Sequence, residues 1–160
     1  MKGFSMRDRL VTLLEGHGAH ISFSDALEGF PEEHIATRVP LLAHTAWQLV
    51  VHMYRVQRDI VEFIDSPHHS SPEYPSGFWP EEDGPAEIAE WYTTIRGIES
   101  DLRGVIERVE NPETDLFEPF PHGDGHNLFH EAVTLADHNA YHIGQLVDLR
   151  MLLGVPVRDW

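Results

Sequence analysis

His138 and His142 stand four residues apart in the stretch ADHNAYHIGQLVDLRMLLG. If that stretch is helical, they lie one above the other on a single face, and two imidazoles so placed can grip one metal ion from the same side. The surrounding segment, Asn127 to Leu153, has the pattern of one long amphipathic helix closed by Gly154 and Pro156. At about 100° per residue, Leu128, Ala132, Leu135, Leu146, Leu149 and Leu153 share a stripe. With His138 taken as zero, His142 falls at about +40° and the stripe is centred near +70°, so both histidines border the face that meets the core.

A third ligand has to come from another helix. His52, in TAWQLVVHMYRVQRDIVEFI, is displaced from its own apolar stripe by about 70°, the same marginal placement that His138 has. His52, His138 and His142 would make a three-nitrogen set with at least one position open, the usual arrangement of a catalytic metal; a structural site is normally closed by four ligands. Asp59 lies seven residues beyond His52, on its side of the helix, and is the nearest candidate to assist proton transfer. There are no cysteines, so thiolate ligands, disulfides and a cysteine nucleophile are all excluded.

Other readings of the same residues stand beside these. A lone histidine at a core edge is more often a hydrogen-bonded core residue than a ligand, and His-rich helices produce i, i+4 pairs freely. His130 falls at about −80° and is expected on the wet side. His122 and His126 precede the regular helix, and their own i, i+4 spacing has no support from phase. His44, His68 and His69 have the look of loop residues without a role. Glu131, inside the stripe at about +20°, is two turns or about 10 Å from His138, too far to share its ion, and is expected to pair with another helix. Trp47, Trp91 and Tyr92 are simplest as core aromatics.

The elements that must position these residues follow from capping and periodicity. Met6 to Glu15 is a short amphipathic helix broken by Gly16-His17-Gly18, and Ser24-Asp25 can cap a further short piece. Thr45 with Gln48 fits a capping box opening a helix from Ala46 to about Asp65. Pro85 suits the first turn of a helix running to about Val109, stopped by Asn111-Pro112. Between these last two helices, Ser66 to Gly84 holds Pro67, Pro72, Pro75 and Pro80 with Tyr74, Phe78 and Trp79. A loop of that length usually crosses the fold or lines a site, and Phe78 and Trp79 are placed to cover a pocket. Four helical segments without a strand predict an all-α four-helix bundle, up-down-down-up, with a long crossover between the second and third helices. The 160 residues are expected to form a single domain.

Charge narrows the partners. Acidic residues number 27 against 11 basic, a formal net charge of −16. Such a surface repels phosphate backbones and anionic bilayers, so neither nucleic acid nor membrane is expected as partner. No signal-peptide pattern or spanning run is present, which makes a cytoplasmic protein the default.

The H-x-x-x-H-x-G-Q string of His138, His142, Gly144 and Gln145, with the upstream W-x-x-x-x-H of Trp47 and His52, resembles the DinB-like superfamily. This group of helical bundles includes the YfiT-type metal-dependent hydrolases and several thiol S-transferases. The resemblance covers nearly the whole chain, including the crossover loop with its Trp79-Pro80. It implies a divalent metal ion (zinc, nickel, manganese or iron) on His52, His138 and His142. It implies an open position for water or a low-molecular-weight thiol, a small-molecule substrate, and a homodimer. The alternative is a non-catalytic bundle that binds a metal or small ligand.

Overall fold

The computed structural model describes residues 5–157. Among them are five α-helices: α1 (Met6–Glu15), α2 (Phe23–Leu27), α3 (Ala46–Asp65), α4 (Ile88–Glu110) and α5 (Leu128–Leu152). A 3-10 turn, Glu32–His34, interrupts the proline-bracketed stretch before α3. No strand occurs among the described residues, only an isolated bridge between Pro119 and Asn127. The fold is all-α, as the periodicities predict.

Local chemistry sets the helix starts. Thr45 accepts from the backbone N–H of Gln48, whose side chain returns to the Thr45 N–H, completing the expected capping box. Ser5 and Asp8 build the same device on α1. Asn127 caps α5 through the His130 N–H. Two expected starts move. The cap of α2 is Ser22 and not Ser24, because the Ser22 hydroxyl meets the Asp25 N–H and carboxylate. Helix α4 begins at Ile88, three residues beyond Pro85. The chain just before it is committed elsewhere: the Asp83 carbonyl accepts from the Thr45 hydroxyl, and a Cβ on Gly84 would come 2.6 Å from that of Ala36.

Helix α3 packs against α4 and α5, and α1 bridges α4 and α5 at the other end. Two apolar clusters result. One gathers Trp47, Val50, Met53, Trp91, Ile98, Ile143 and Leu146; the other gathers Leu10, Ile60, Val105, Leu128 and Leu135. Trp47 and Trp91 are core residues as expected, but Tyr92 is not. It is 43% exposed and its hydroxyl donates to Glu32 at 2.6 Å. One residue beyond the inward Trp91, it is turned by about 100°, which carries it to the rim.

Polar groups cross the core where α3, α4 and α5 meet. Gln57, fully buried, donates to the Ile98 carbonyl at 2.6 Å and accepts from Asn139 at 3.2 Å. Asn139 directly follows His138, and Gln57 lies five residues beyond His52, so this bond ties together the two helices that carry the histidines. Arg150, also buried, donates to the carbonyls of Ala26, Glu28 and Val155 and holds α2 and the residues just after α5 in place. Among the described residues no helix is long and apolar enough to cross a membrane.

Replacing Gln57 by Leu, which is apolar and slightly bulkier, strips the Asn139 amide of its acceptor. Gln57→Leu is expected to lower unfolding free energy by about 1–3 kcal/mol, the penalty of an unsatisfied buried group. Urea titration followed by helical circular dichroism measures it, and an unchanged midpoint would mean that the polar crossing adds nothing.

Candidate metal centre

His52 projects from the second turn of α3; His138 and His142 project from successive turns of α5. The fold brings all three together: the ring centroids are 5.0 Å apart for His52 and His138, 4.7 Å for His52 and His142, and 4.5 Å for His138 and His142. One nitrogen from each lies within 4.8 Å of the other two. His52 and His142 are each 5% exposed, and His138 is half-buried.

Hydrogen bonds settle which nitrogen of two rings faces the centre. His52 Nδ1 lies 3.3 Å from the Phe78 carbonyl, which can only accept, so Nδ1 carries the proton and Nε2 keeps its lone pair. His142 Nδ1 donates likewise to Gln145 Oε1 at 2.7 Å. A partner on the far nitrogen is the usual way in which a metal-binding imidazole is oriented and its tautomer fixed. His138 Nε2 lies 3.1 Å from His52 Nε2, while its Nδ1 is buried without a partner. Two donors each about 2.1 Å from one ion, at angles between square and tetrahedral, stand about 3.0–3.4 Å apart. The observed separation fits a shared cation, and this buried three-histidine group could bind a metal.

Electrostatics favour the neutral rings a metal requires. Burial pushes His52 down to about 4, with His142 and then His138 adding repulsion. Burial does the same to His138, also to about 4, with a contribution from His142. His142 is lowered as well, again mainly by burial. All three rings are therefore uncharged at neutral pH, the form in which an imidazole binds a metal.

The crossover loop closes over one side. Trp79 stacks flat on His52, centroids 3.7 Å apart and planes 6° from parallel, and His44 stacks on the same indole at 3.8 Å. Phe78 is buried and supplies the carbonyl that holds His52. A cavity of about 60 Å³ lies alongside, lined by Leu42, Ala43, His44, Leu49, Gln145 and Asp148.

Other sequence expectations meet a different outcome. Asp59 is not part of the cluster: His69 Nε2 meets one of its oxygens at 2.6 Å, Ser71 donates to the other at 3.0 Å, and it is about 10 Å along α3 from His52. His69, expected to be idle, therefore clasps the loop to α3. His44 is likewise engaged, through Trp79. Glu131 pairs not with another helix but with His126, just before its own helix, at 2.7 Å. Gln145 stood in the quoted motif and its distance from His142 was its signal. His44 and the Phe78 carbonyl have no signature, because their roles exist only once the loop is folded down.

A scan against protein-family models and searches of curated proteins and of solved structures give no match.

Acid is expected to destabilise the metal-free protein through these rings. Their folded pKa values lie below the ordinary 6.5, so between 6.5 and about 4 the unfolded chain binds more protons and stability falls as pH falls. The contribution is complete above 6.5 and lost toward 4. Thermal melts of wild type and His138→Gln at pH 7 and pH 5 check this: the wild type should lose more than the variant, and equal losses would contradict the assignment.

Proposed function

We propose that the chain is a DinB-like, metal-dependent enzyme whose cation is held by His52, His138 and His142, in an up-down-down-up bundle of α1, α3, α4 and α5. The observation that carries this reading is the convergence of three buried imidazoles, two with the proton fixed on the outer nitrogen, from which carboxylates are missing among the described contacts. Three imidazole donors suit zinc, nickel or iron, and manganese stands beside them through the resemblance alone. With only neutral ligands, a divalent ion keeps its full charge and supplies a Lewis-acid position that lowers the pKa of water or of a small thiol.

The chain's own residues do the remaining work. Gln145 and the Phe78 carbonyl orient His142 and His52. Trp79 shields the face of His52 from water, and His44 backs Trp79. The substrate expected for such a site is a small electrophile attacked by water, for a hydrolase, or by a thiol, for an S-transferase. Asp59 is already bound to His69 and Ser71, so this reading gives it no part in proton transfer. The enclosure of the site favours one other reading: with His52 and His142 each 5% exposed and only about 60 Å³ of space alongside, the same three rings suit a bundle that stores a metal or small ligand without turnover.

Elemental analysis of protein purified without a histidine tag is expected to find a divalent metal, lost in His52→Ala, His138→Ala and His142→Ala alike. Gln145→Ala should bind it about 10–100-fold more weakly. Reloaded protein assayed with hydrolysable esters and amides, and with thiols plus an electrophile, separates the two readings. Metal-dependent turnover supports the enzyme, bound metal without turnover supports storage, and variants with unchanged metal content would rule out both.

A further inference from the structure

We infer that His126, His130 and Glu131 form a second divalent-cation site, independent of the first. One ligand atom from each lies within 4.8 Å of the others. His126 Nδ1 meets Glu131 Oε1 at 2.7 Å, and the two imidazole rings are 4.4 Å apart between centroids. The set is two nitrogens and one carboxylate, a combination that borderline ions such as zinc accept with open positions left for water.

The chain holds these groups in place by separate means. The His126 carbonyl accepts from the Phe120 N–H at 2.8 Å, and its own N–H donates to the Gly123 carbonyl at 2.7 Å. His130 and Glu131 lie in the first turn of α5, whose cap Asn127 accepts from the His130 N–H at 2.9 Å. Glu131 is only 5% exposed, set among Leu128, Ala132 and Leu135. A polar group in such surroundings needs partners. The His126 contact reaches one of its oxygens and leaves the His130 ring, 4.4 Å from that of His126 between centroids, outside it. A shared cation accounts for all three groups.

Seven residues separate Glu131 from His138, about 10 Å along the helix axis. Paired catalytic ions sit about 3.5–4 Å apart, so this is a separate site. The positive end of the α5 dipole opposes a cation here, and both histidines are exposed. Binding is therefore weaker than at the buried triad. Its effect would be to fasten the segment 111–127 to the start of α5.

Calorimetric titration of the untagged full chain with zinc chloride tests the inference. Wild type should take up about two ions per chain, in a strong and a weak step. His130→Ala and His126→Asn, both at exposed positions, should abolish the weak step and leave the strong one. The double variant His138→Ala/His142→Ala should keep the weak step, so failure of the first site is visible apart from failure of the second. The proposal is overturned if wild type shows no weak step, or if that step survives His130→Ala with the helical spectrum unchanged; an ion pair is then the whole role of the cluster.

Discussion

Three uncharged imidazoles share a largely buried space, each with one nitrogen close to those of the other two. Burial keeps them so: it disfavours the charged form of every ring, and His142 adds to that effect at His52 and His138. The price of that arrangement is a set of basic nitrogens facing one another. His52 and His138, at 3.1 Å, can share a single proton between Nε2 atoms, and that bond leaves His142 outside. A cation would satisfy all three at once.

Such a cluster exists only if α3 and α5 keep one register. Apolar packing alone tolerates sliding, since Val50, Met53, Leu135 and Leu146 offer similar surfaces along much of both helices. The Gln57–Asn139 bond does not tolerate it, because a slip of one turn, about 5.4 Å, would bury both amides unpaired. Buried polar contacts of this kind contribute little net energy when satisfied and much discrimination against alternatives. Their position next to His138, and five residues from His52, puts that discrimination where the site needs it.

How far this was legible in the sequence follows from the range of each interaction. Helix α3 was plain because Thr45 and Gln48 are three residues apart and its stripe is local; the pair His138 and His142 was plain because a helix fixes the geometry of an i, i+4 spacing. His52 was accessible by phase and by resemblance. Phase failed where a residue's partner lies off the helix. His130 was placed correctly toward solvent, yet its neighbour His126 belongs to the preceding segment, whose path no periodicity predicts. Glu131 was rightly marked as anomalous inside an apolar stripe and assigned to the wrong kind of partner for the same reason. Asp59 shared a side with His52 but was claimed by His69 and Ser71, contacts made by a loop of irregular backbone. The start of α4 moved because Asp83 and Gly84 answer to Thr45 and Ala36, far away in sequence.

The crossover loop is where these long-range terms meet the site. It is fixed near its start by Asp59 on His69 and Ser71, and near its end by Arg38 and Thr45 on Asp83. Between these anchors it lays Trp79 across His52 and turns the Phe78 carbonyl toward His52 Nδ1. The loop therefore sets the orientation of a ring that α3 only carries. A helix can deliver an imidazole to the right level, but rotation about its side-chain bonds is free until something grips the far nitrogen. For His142 that grip comes from Gln145, three residues away on the same helix and independent of the loop. The site is thus composite: α5 presents one ring already oriented, while His52 becomes an oriented donor only when the loop is seated. Any movement of Trp79 would change the histidine cluster through His52 first.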